Sequence, residues 1–214
     1  MQHYIFNIMP TFLFDKIVFG PVKSRRLGVS LGINLLPNNS KLCNFNCIYC
    51  ECGWTPGTKE IKNEFHPRNA VKESLQQKLQ EMKCNNEIVD AITFAGNGEP
   101  TMHPDFEGII EDTINIRNTY FKKAQIVVLS NSTLIHKPHI KKALLKVDQN
   151  ILKLDSVFEE TVKQINQPQG FFSLENVIEN LIGFNGQLII QTLFVKGTYN
   201  GITVNNATEK EVLA

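Results

Sequence analysis

Four of the five cysteines in the chain lie within ten residues, in the stretch KLCNFNCIYCECG over 41–53. Cys43, Cys47 and Cys50 form a C-x3-C-x2-C pattern, and Cys52 follows almost at once. Thiolates bind soft or borderline metals, so three of them on one short loop can hold three corners of an iron–sulfur cluster. Such a loop leaves the fourth iron without a protein ligand, and an open iron can bind and activate a small molecule.

Two alternative roles for these cysteines stay open on the loop alone. A structural zinc site needs four ligands, and Cys52, Cys84 or His66 would have to supply the fourth. Buried thiols that bind no metal are the second alternative. Taken singly, Cys52 and Cys84 are more typical of ordinary small side chains than of ligands.

The composition is that of an ordinary globular protein, with 214 residues, 42% of them hydrophobic and 20% charged. The net charge of +1 gives the whole chain no general attraction to nucleic acid or to a membrane surface. The first 50 residues are nevertheless basic, so we expect a positive surface beside the cysteines. These 50 residues include five basic side chains and one acidic side chain, Asp15. The basic residues are Lys16, Lys23, Arg25, Arg26 and Lys41. Lys23, Arg25 and Arg26 would bind a phosphate or carboxylate of a substrate, or else form an ordinary solvated surface.

The sequence also predicts a cellular location and a division of the chain. No run of eighteen apolar residues is present, which predicts a protein without a membrane span. The apolar start lacks the basic residues and cleavage site of a secretory signal. An odd, clustered set of cysteines favours a reducing compartment, so we expect a cytoplasmic protein. We expect an N-terminal edge segment over 1–18 and one core domain over 19–214.

Hydrophobic periodicity alternates between strand and helix along the chain. The predicted strands cover 27–35, 88–94, 125–130, 150–155 and 187–195, with helices over 71–82, from 104, 138–146, 156–166 and 173–183. This alternation predicts an α/β protein with a parallel sheet, either an open doubly wound sheet or part of a βα barrel. A helix start at Thr208 lies close to Ala214, where the chain stops. We therefore expect a fragment that lacks at least one helix and one strand.

Polar and glycine residues follow the predicted strands at their carboxyl ends, where parallel βα folds bind ligands. After the second strand comes the turn Gly96, Asn97, Gly98, Glu99 and Pro100, whose glycines let a ligand approach the backbone closely. After the third come Ser130 and Asn131, and after the fourth Asp155 and Ser156. A plain tight turn and ordinary helix capping are the alternatives for these residues.

Two of these motifs resemble those of a known family. Residues 41–50, with Tyr49 directly before the last cysteine, resemble the cluster loop of the radical S-adenosylmethionine (SAM) superfamily. AGNGEP over 95–100 resembles the glycine-rich turn that is the second mark of that superfamily. The stretches 19–37 and 96–104 are similar to one subgroup, the iron–sulfur oxidoreductases related to wyosine-type tRNA-modifying enzymes. Unlike the archaeal wyosine enzymes, this chain has no cysteine before Cys43 that could hold a second cluster.

The resemblance implies a partial (βα)6-type radical SAM barrel, truncated at its C-terminus. It implies that Cys43, Cys47 and Cys50 bind a [4Fe–4S] cluster, whose open iron is chelated by the amino and carboxylate groups of SAM. It places the methionyl ammonium of SAM on the turn over 96–100, with the Glu99 carboxylate nearby. Tyr49 is the aromatic residue of the cluster loop. The ribose or the methionyl carboxylate of SAM would be contacted by Ser130, Asn131, Asp155 and Ser156.

The implied reaction cleaves SAM by one electron to methionine and a 5′-deoxyadenosyl radical, which abstracts hydrogen from a substrate. Flavodoxin or ferredoxin is the expected electron donor. RNA is one substrate hypothesis, supported by the subgroup resemblance and the basic first 50 residues. A protein or peptide, as for an activase of a glycyl-radical partner, is the second. A non-catalytic zinc-binding α/β domain is the alternative of a different class.

Overall fold

The protein is described here from a computed structural model, which covers residues 11–56 and 65–213. Its centre is a six-stranded sheet in which each strand lies beside the next one along the chain. The strands are β1 (Val18–Ser24), β2 (Gly28–Ile33), β3 (Ala91–Phe94), β4 (Gln125–Ser130), β5 (Gln149–Lys153) and β6 (Ile189–Gln191). β1 is antiparallel to β2, and all the later neighbours are parallel.

Helices connect the parallel strands. They are α1 (Arg68–Cys84), α2 (Phe106–Tyr120), α3 (Pro138–Leu144), α4 (Glu159–Asn166) and α5 (Leu174–Ile182). A 3-10 turn over Pro100–Met102 follows the glycine-rich stretch. After β6 come a separate two-stranded hairpin, β7 (Lys196–Tyr199) and β8 (Ile202–Asn205), and the short helix α6 (Glu209–Leu213).

The two faces of the sheet are covered differently. One face packs against α1, α2, α3 and α5 in the main hydrophobic core, which includes Leu31, Ile92 and Ile126 from the strands. On the other face, Ala91, Val127 and Ile151 form a small separate cluster. A doubly wound sheet reverses its strand order at a switch point, and this sheet does not. The structure therefore confirms the α/β prediction and favours the barrel-type arrangement.

The helix predictions follow from side-chain spacing that the structure confirms. Val71, Leu75, Leu79 and Met82 are all buried along one stripe of α1. Ser173 caps α5, because its hydroxyl accepts a hydrogen bond from the Asn176 amide at 3.2 Å. Spacing and capping residues were sufficient to locate these two helices.

The strands at the edges of the sheet differ from the prediction. The fifth predicted strand, 187–195, is only three residues long, because the Leu193 amide leaves the sheet and donates to Asp155 Oδ1 at 2.9 Å. The hairpin of β7 and β8 was not predicted. Residues 1–10 of the predicted edge segment lie outside the described residues, and residues 11–17 lead irregularly into β1. The boundary between 1–18 and 19–214 stays a prediction.

The basic hairpin turn lies at the wrong end of the sheet for contact with the cysteines. Ser24 pairs with Gly28, so the turn that holds Arg25 and Arg26 precedes β2 at its amino end. The cysteine loop follows the carboxyl end of the same strand. The prediction that the basic residues lie beside the cysteines is thus wrong for this turn. It holds for Lys41, which is buried near the thiols.

Candidate metal and cofactor site

The cysteine loop and the glycine-rich turn are joined directly by backbone hydrogen bonds. Leu42 and Gly98 form an isolated parallel β-bridge. The Leu42 amide donates to the Asn97 carbonyl at 2.8 Å, and the Glu99 amide donates to the Leu42 carbonyl at 3.1 Å. Gly98 has a φ of 144°, and a Cβ atom there would lie 1.9 Å from the Leu42 carbonyl oxygen. Only glycine allows this approach, so the bridge fixes the turn against the residue that precedes Cys43.

One cavity of about 310 Å³ opens between the two motifs. All four clustered cysteines line it, and Gly96, Gly98 and Glu99 of the turn form another part of its wall. The lining residues that the sequence singled out are Cys43, Cys47, Cys50, Cys52, Tyr49, Gly96, Gly98, Glu99, Ser130 and Asn131. Lys41 and Lys153 add two cations to the wall. The cavity therefore holds soft ligands, exposed backbone and positive charge together.

The four thiols differ in how readily they ionise. Burial raises the pKa of Cys43 to about 12, and burial also raises the pKa of Cys47. The pKa of Cys50 is lowered to about 5, first by a hydrogen bond from Cys52 and further by the positive charge of Lys41. The same hydrogen bond raises the pKa of Cys52, which keeps its proton. Cys50 is thus the thiolate most available to a metal at neutral pH.

Amide groups donate to two of the sulfurs from distant parts of the chain. Asn131 Nδ2 lies 3.5 Å from Cys43 Sγ, and Asn166 Nδ2 lies 3.4 Å from Cys47 Sγ. The Phe45 backbone amide also donates to Cys43 Sγ at 3.4 Å. Hydrogen bonds to cysteine sulfur stabilise bound clusters and tune their reduction potentials. This donor set of thiolates supported by amides fits an iron–sulfur cluster.

Both oxygens of the Glu99 carboxylate accept hydrogen bonds from within the protein. Its Oε1 accepts hydrogen bonds from the Thr101 amide, the Thr101 hydroxyl and the Ser130 hydroxyl. Its Oε2 accepts from the Asn131 amide at 2.6 Å. Burial raises the pKa of this carboxyl, while the four donors oppose that shift. The carboxylate joins the glycine-rich turn to the end of β4, and in doing so it orients Asn131 toward Cys43.

A second polar network closes the cavity around Asp155. The Tyr49 hydroxyl donates to Asp155, and Asn166 Nδ2 donates to Asp155 Oδ2 at 2.6 Å. Lys153 Nζ lies 2.7 Å from the Tyr49 oxygen and 5.1 Å from the centre of its ring. Burial is the main cause that raises the pKa of Tyr49, so the phenol stays protonated. The Asp155 network thus fixes Tyr49 in the cavity wall.

Four of the residues predicted to contact the ligand are not among those that line the cavity. The Asn97 side chain is buried and bonds to the backbone of Phe14 and Pro37. Pro100 is buried at the start of the 3-10 turn. Ser156 bonds to Glu211 and accepts from the Phe158 amide, which supports its alternative role at the entry to α4. Asp155 contacts Tyr49 and Lys153, which do line the cavity.

Two contributors to the site were missed by sequence reasoning. Lys41 was counted only among the basic residues, although its position two residues before Cys43 was a usable signal. Its Nζ donates to the Gly53 carbonyl at 2.9 Å and thereby closes the loop around the cysteines. Asn166 gave no signal, because 119 residues separate it from Cys47.

Of the three residues suggested as a fourth zinc ligand, Cys52 lines the cavity and the other two lie elsewhere. Cys84 is exposed at the end of α1, and His66 Nε2 hydrogen-bonds to Asn38 Oδ1. Within 11–56 and 65–213, no three His, Cys, Asp or Glu side chains are already grouped around the position of a single ion. The same residues include no helix that is long and apolar enough to cross a membrane.

Known proteins resemble this chain over most of its length. The sequence profile of the radical SAM superfamily matches residues 40–205. UPF0026 protein MJ1312 of Methanocaldococcus jannaschii is 33% identical over 183 residues, which are 84% of this chain and 54% of that protein. The chain therefore spans about half the length of this relative.

Two solved structures align with the chain at low sequence identity. The structure of Streptococcus suis SuiB bound to S-adenosylmethionine aligns with a TM-score of 0.50 and 18% identity, over 76% of this chain and 32% of SuiB. The structure of archaeal TYW1 aligns with a TM-score of 0.46 and 14% identity, over 78% of this chain and 56% of that one. With the profile match over most of its length, the chain belongs to the radical SAM superfamily.

Proposed function

We propose that this chain is an enzyme that cleaves SAM reductively at the cavity between the cysteine loop and the glycine-rich turn. Members of the superfamily use a [4Fe–4S] cluster and SAM. When bound, the cluster supplies the electron that splits SAM into methionine and a 5′-deoxyadenosyl radical, which abstracts hydrogen from a substrate. We also propose which residues hold the cluster and SAM, and which class of substrate reacts.

The Leu42–Gly98 bridge is the observation that carries the proposal. It brings the C-x3-C-x2-C loop and the Gly96–Glu99 turn to one cavity, although they are far apart in the chain. A ligand in that cavity touches thiols on one side and exposed backbone on the other. This is the arrangement needed to hold an iron–sulfur cluster and an amino-acid head group next to each other.

The roles of the individual residues follow from their positions. Cys43, Cys47 and Cys50 hold the cluster, and the carbonyl of Gly96 accepts from the methionyl ammonium of SAM. Lys153, one of the two lysines in the cavity wall, would bind the methionyl carboxylate. Glu99 is a positioning residue in this proposal, because both of its oxygens accept hydrogen bonds from Thr101, Ser130 or Asn131. The Asp155 network keeps Tyr49 in place and water out of that side of the cavity.

RNA is our first proposal for the substrate, on the resemblance of residues 19–37 and 96–104 to wyosine-type enzymes. The basic turn at Arg25 and Arg26 would contact the RNA away from the cavity, because it lies at the opposite end of β2. A protein or peptide substrate is the alternative. Binding to RNA that weakens steeply as salt increases would support the first, since phosphate contacts release counterions. Flavodoxin or ferredoxin is the proposed electron donor.

The test is anaerobic reconstitution of the chain with iron and sulfide, followed by dithionite reduction in the presence of SAM. We expect about four irons and four acid-labile sulfides per chain and the formation of 5′-deoxyadenosine. Single Cys43→Ala, Cys47→Ala and Cys50→Ala variants should lose both cluster and product. Cys84→Ala is the matched control, because that thiol is exposed and distant. Zinc near one per chain without iron, or full product from the three variants, would refute the proposal.

A further inference from the structure

Cys52 is a fourth thiol in the cavity that the proposed function does not use. It lies two residues after Cys50, and its sulfur lines the same cavity as the three proposed cluster ligands. It is partly buried, in contrast to Cys84, which is exposed at the end of α1. The cavity therefore contains one soft ligand more than a cluster with an open iron requires.

The Cys52 sulfur lies between the cysteine loop and the glycine-rich turn. Cys52 lines the cavity together with Cys50, one of the proposed iron ligands. Its sulfur also lies 3.5 Å from the Gly96 carbonyl oxygen, to which it can donate. That carbonyl is the one assigned above to the methionyl ammonium of SAM. Cys52 and the SAM head group therefore compete for the same place.

The backbone around Cys52 is held in position from both sides. The Phe12 amide donates to the Glu51 carbonyl at 2.9 Å, and the Gly53 amide donates to the Cys50 carbonyl at 3.1 Å. Lys41 Nζ holds the Gly53 carbonyl at 2.9 Å. With the backbone fixed, the sulfur moves chiefly by rotation about χ1, which carries it between a few staggered positions on one arc. An anchored thiol of this kind is present at a high effective concentration and outcompetes free thiols in solution.

From this geometry we propose that Cys52 is an exchangeable fourth ligand of the cluster. In the absence of SAM, its thiolate binds the iron that Cys43, Cys47 and Cys50 leave open, and so protects that iron. This rests on the proposed function, since it assumes the same cluster. It adds a residue outside the C-x3-C-x2-C pattern and a step that precedes SAM cleavage.

The exchange balances without any change of oxidation state. When SAM arrives, the bond between iron and the Cys52 sulfur breaks, and bonds from iron to the amino nitrogen and carboxylate oxygen of SAM form. The ammonium of SAM must lose one proton to bind iron, and the departing Cys52 thiolate takes up one proton. The resulting thiol turns away from the Gly96 carbonyl, which stays available to the amino group. No oxidant or reductant is consumed.

The proposal predicts opposite effects of removing Cys52 on SAM affinity and on cluster stability. The apparent affinity for SAM equals the intrinsic affinity multiplied by the fraction of molecules in which the iron is open. If the closed form outnumbers the open form about ten to one, Cys52→Ala would bind SAM about tenfold more tightly. Without SAM, the same variant would lose its fourth iron to a mild oxidant such as ferricyanide, whereas the wild-type chain would keep it.

The experiment compares wild type, Cys52→Ala, Cys52→Ser and Cys84→Ala after the same anaerobic reconstitution. SAM dissociation constants are measured from the SAM-induced change in the EPR spectrum of the reduced cluster. Loss of the fourth iron is measured as the EPR signal of the oxidised three-iron cluster. We expect tighter SAM binding and faster iron loss in Cys52→Ala, an intermediate result in Cys52→Ser because oxygen is a harder ligand, and wild-type behaviour in Cys84→Ala.

Each outcome separates this inference from the proposed function. Wild-type SAM affinity and wild-type iron retention in Cys52→Ala would overturn the exchange and leave the proposed function intact. Failure of Cys52→Ala and Cys52→Ser to assemble any cluster would mean that Cys52 is a permanent ligand, which also overturns the exchange. Failure of the wild-type chain to hold a four-iron cluster would refute the proposed function itself.

Discussion

At the scale of single residues, Glu99 shows how a buried carboxylate can join two elements of the fold. Its carboxylate is 2% exposed and accepts from four donors on two neighbouring elements. A buried carboxylate is tolerated only when its oxygens are fully hydrogen-bonded, and this one is. Its effect on catalysis is therefore expected to pass through the position of Asn131.

Replacing Glu99 with Gln tests this role. The amide nitrogen would face the donors that now bond to an oxygen, and at least one of them would be left without an acceptor. We expect the free energy of unfolding to fall by about 1–3 kcal/mol, measured by denaturant titration. Glu73→Gln, on the exposed face of α1, should change it by less than about 0.5 kcal/mol. An unchanged stability in Glu99→Gln would show that the four hydrogen bonds do not hold the end of β4.

At the scale of elements, the site depends on one short bridge between two loops. Gly98 packs so closely on Leu42 that a methyl group cannot be added without moving the backbone. Its φ of 144° is also one that other residues rarely adopt. The position of the cysteine loop relative to the turn is thus set by backbone geometry at one glycine.

The variant Gly98→Ala should separate the loop from the turn. We expect it to bind much less iron on reconstitution and to lose about 1–3 kcal/mol of stability through backbone strain. Gly197→Ala is the matched control, because a Cβ atom there has no heavy atom within 4 Å. Iron content and unfolding free energy are measured for both. Normal iron content in Gly98→Ala would show that the bridge does not position the cysteines.

The sequence was informative where the physical signal is local. The alternating residues of β2, the apolar stripe of α1 and the spacing of Cys43, Cys47 and Cys50 each depend on neighbours within one or two turns of chain. Partnerships across the fold have no such signal. The pairing of Asn166 with Cys47 depends on the final packing of α4, and the edge strand β6 is ended by a bond to Asp155. The full hydrogen bonding of Glu99 also became visible only with the end of β4 in place.

At the scale of the whole molecule, chemistry and surface charge are separated along the strands. The turn with Arg25 and Arg26 precedes β2, and the cysteines follow it. A strand of six residues spans about 20 Å at 3.3 Å per residue. This exceeds the Debye length of about 8 Å at physiological salt, so charge at one end is largely screened at the other.

Reversing the charge of the turn should therefore leave the cofactor chemistry unchanged. We expect Arg25→Glu/Arg26→Glu to retain wild-type iron content and wild-type formation of 5′-deoxyadenosine without substrate. If RNA is the substrate, the same variant should bind it more weakly and with a shallower dependence on salt, measured by fluorescence anisotropy. A large fall in SAM cleavage would show that the turn influences the cavity after all.

The Asp155 network also bears on how the protein is made. Asp155 joins Tyr49 of the cysteine loop to Leu193, and Asn206 donates to its backbone carbonyl at 2.7 Å. The wall around the cysteines is thus complete only after the chain has been synthesised well past Leu193. At 5–20 residues per second, the 150 residues between Cys43 and Leu193 take about 8 to 30 s to emerge from a ribosome. During that interval the cavity wall around the thiols is incomplete. We therefore expect the metal to be inserted after translation and not during it.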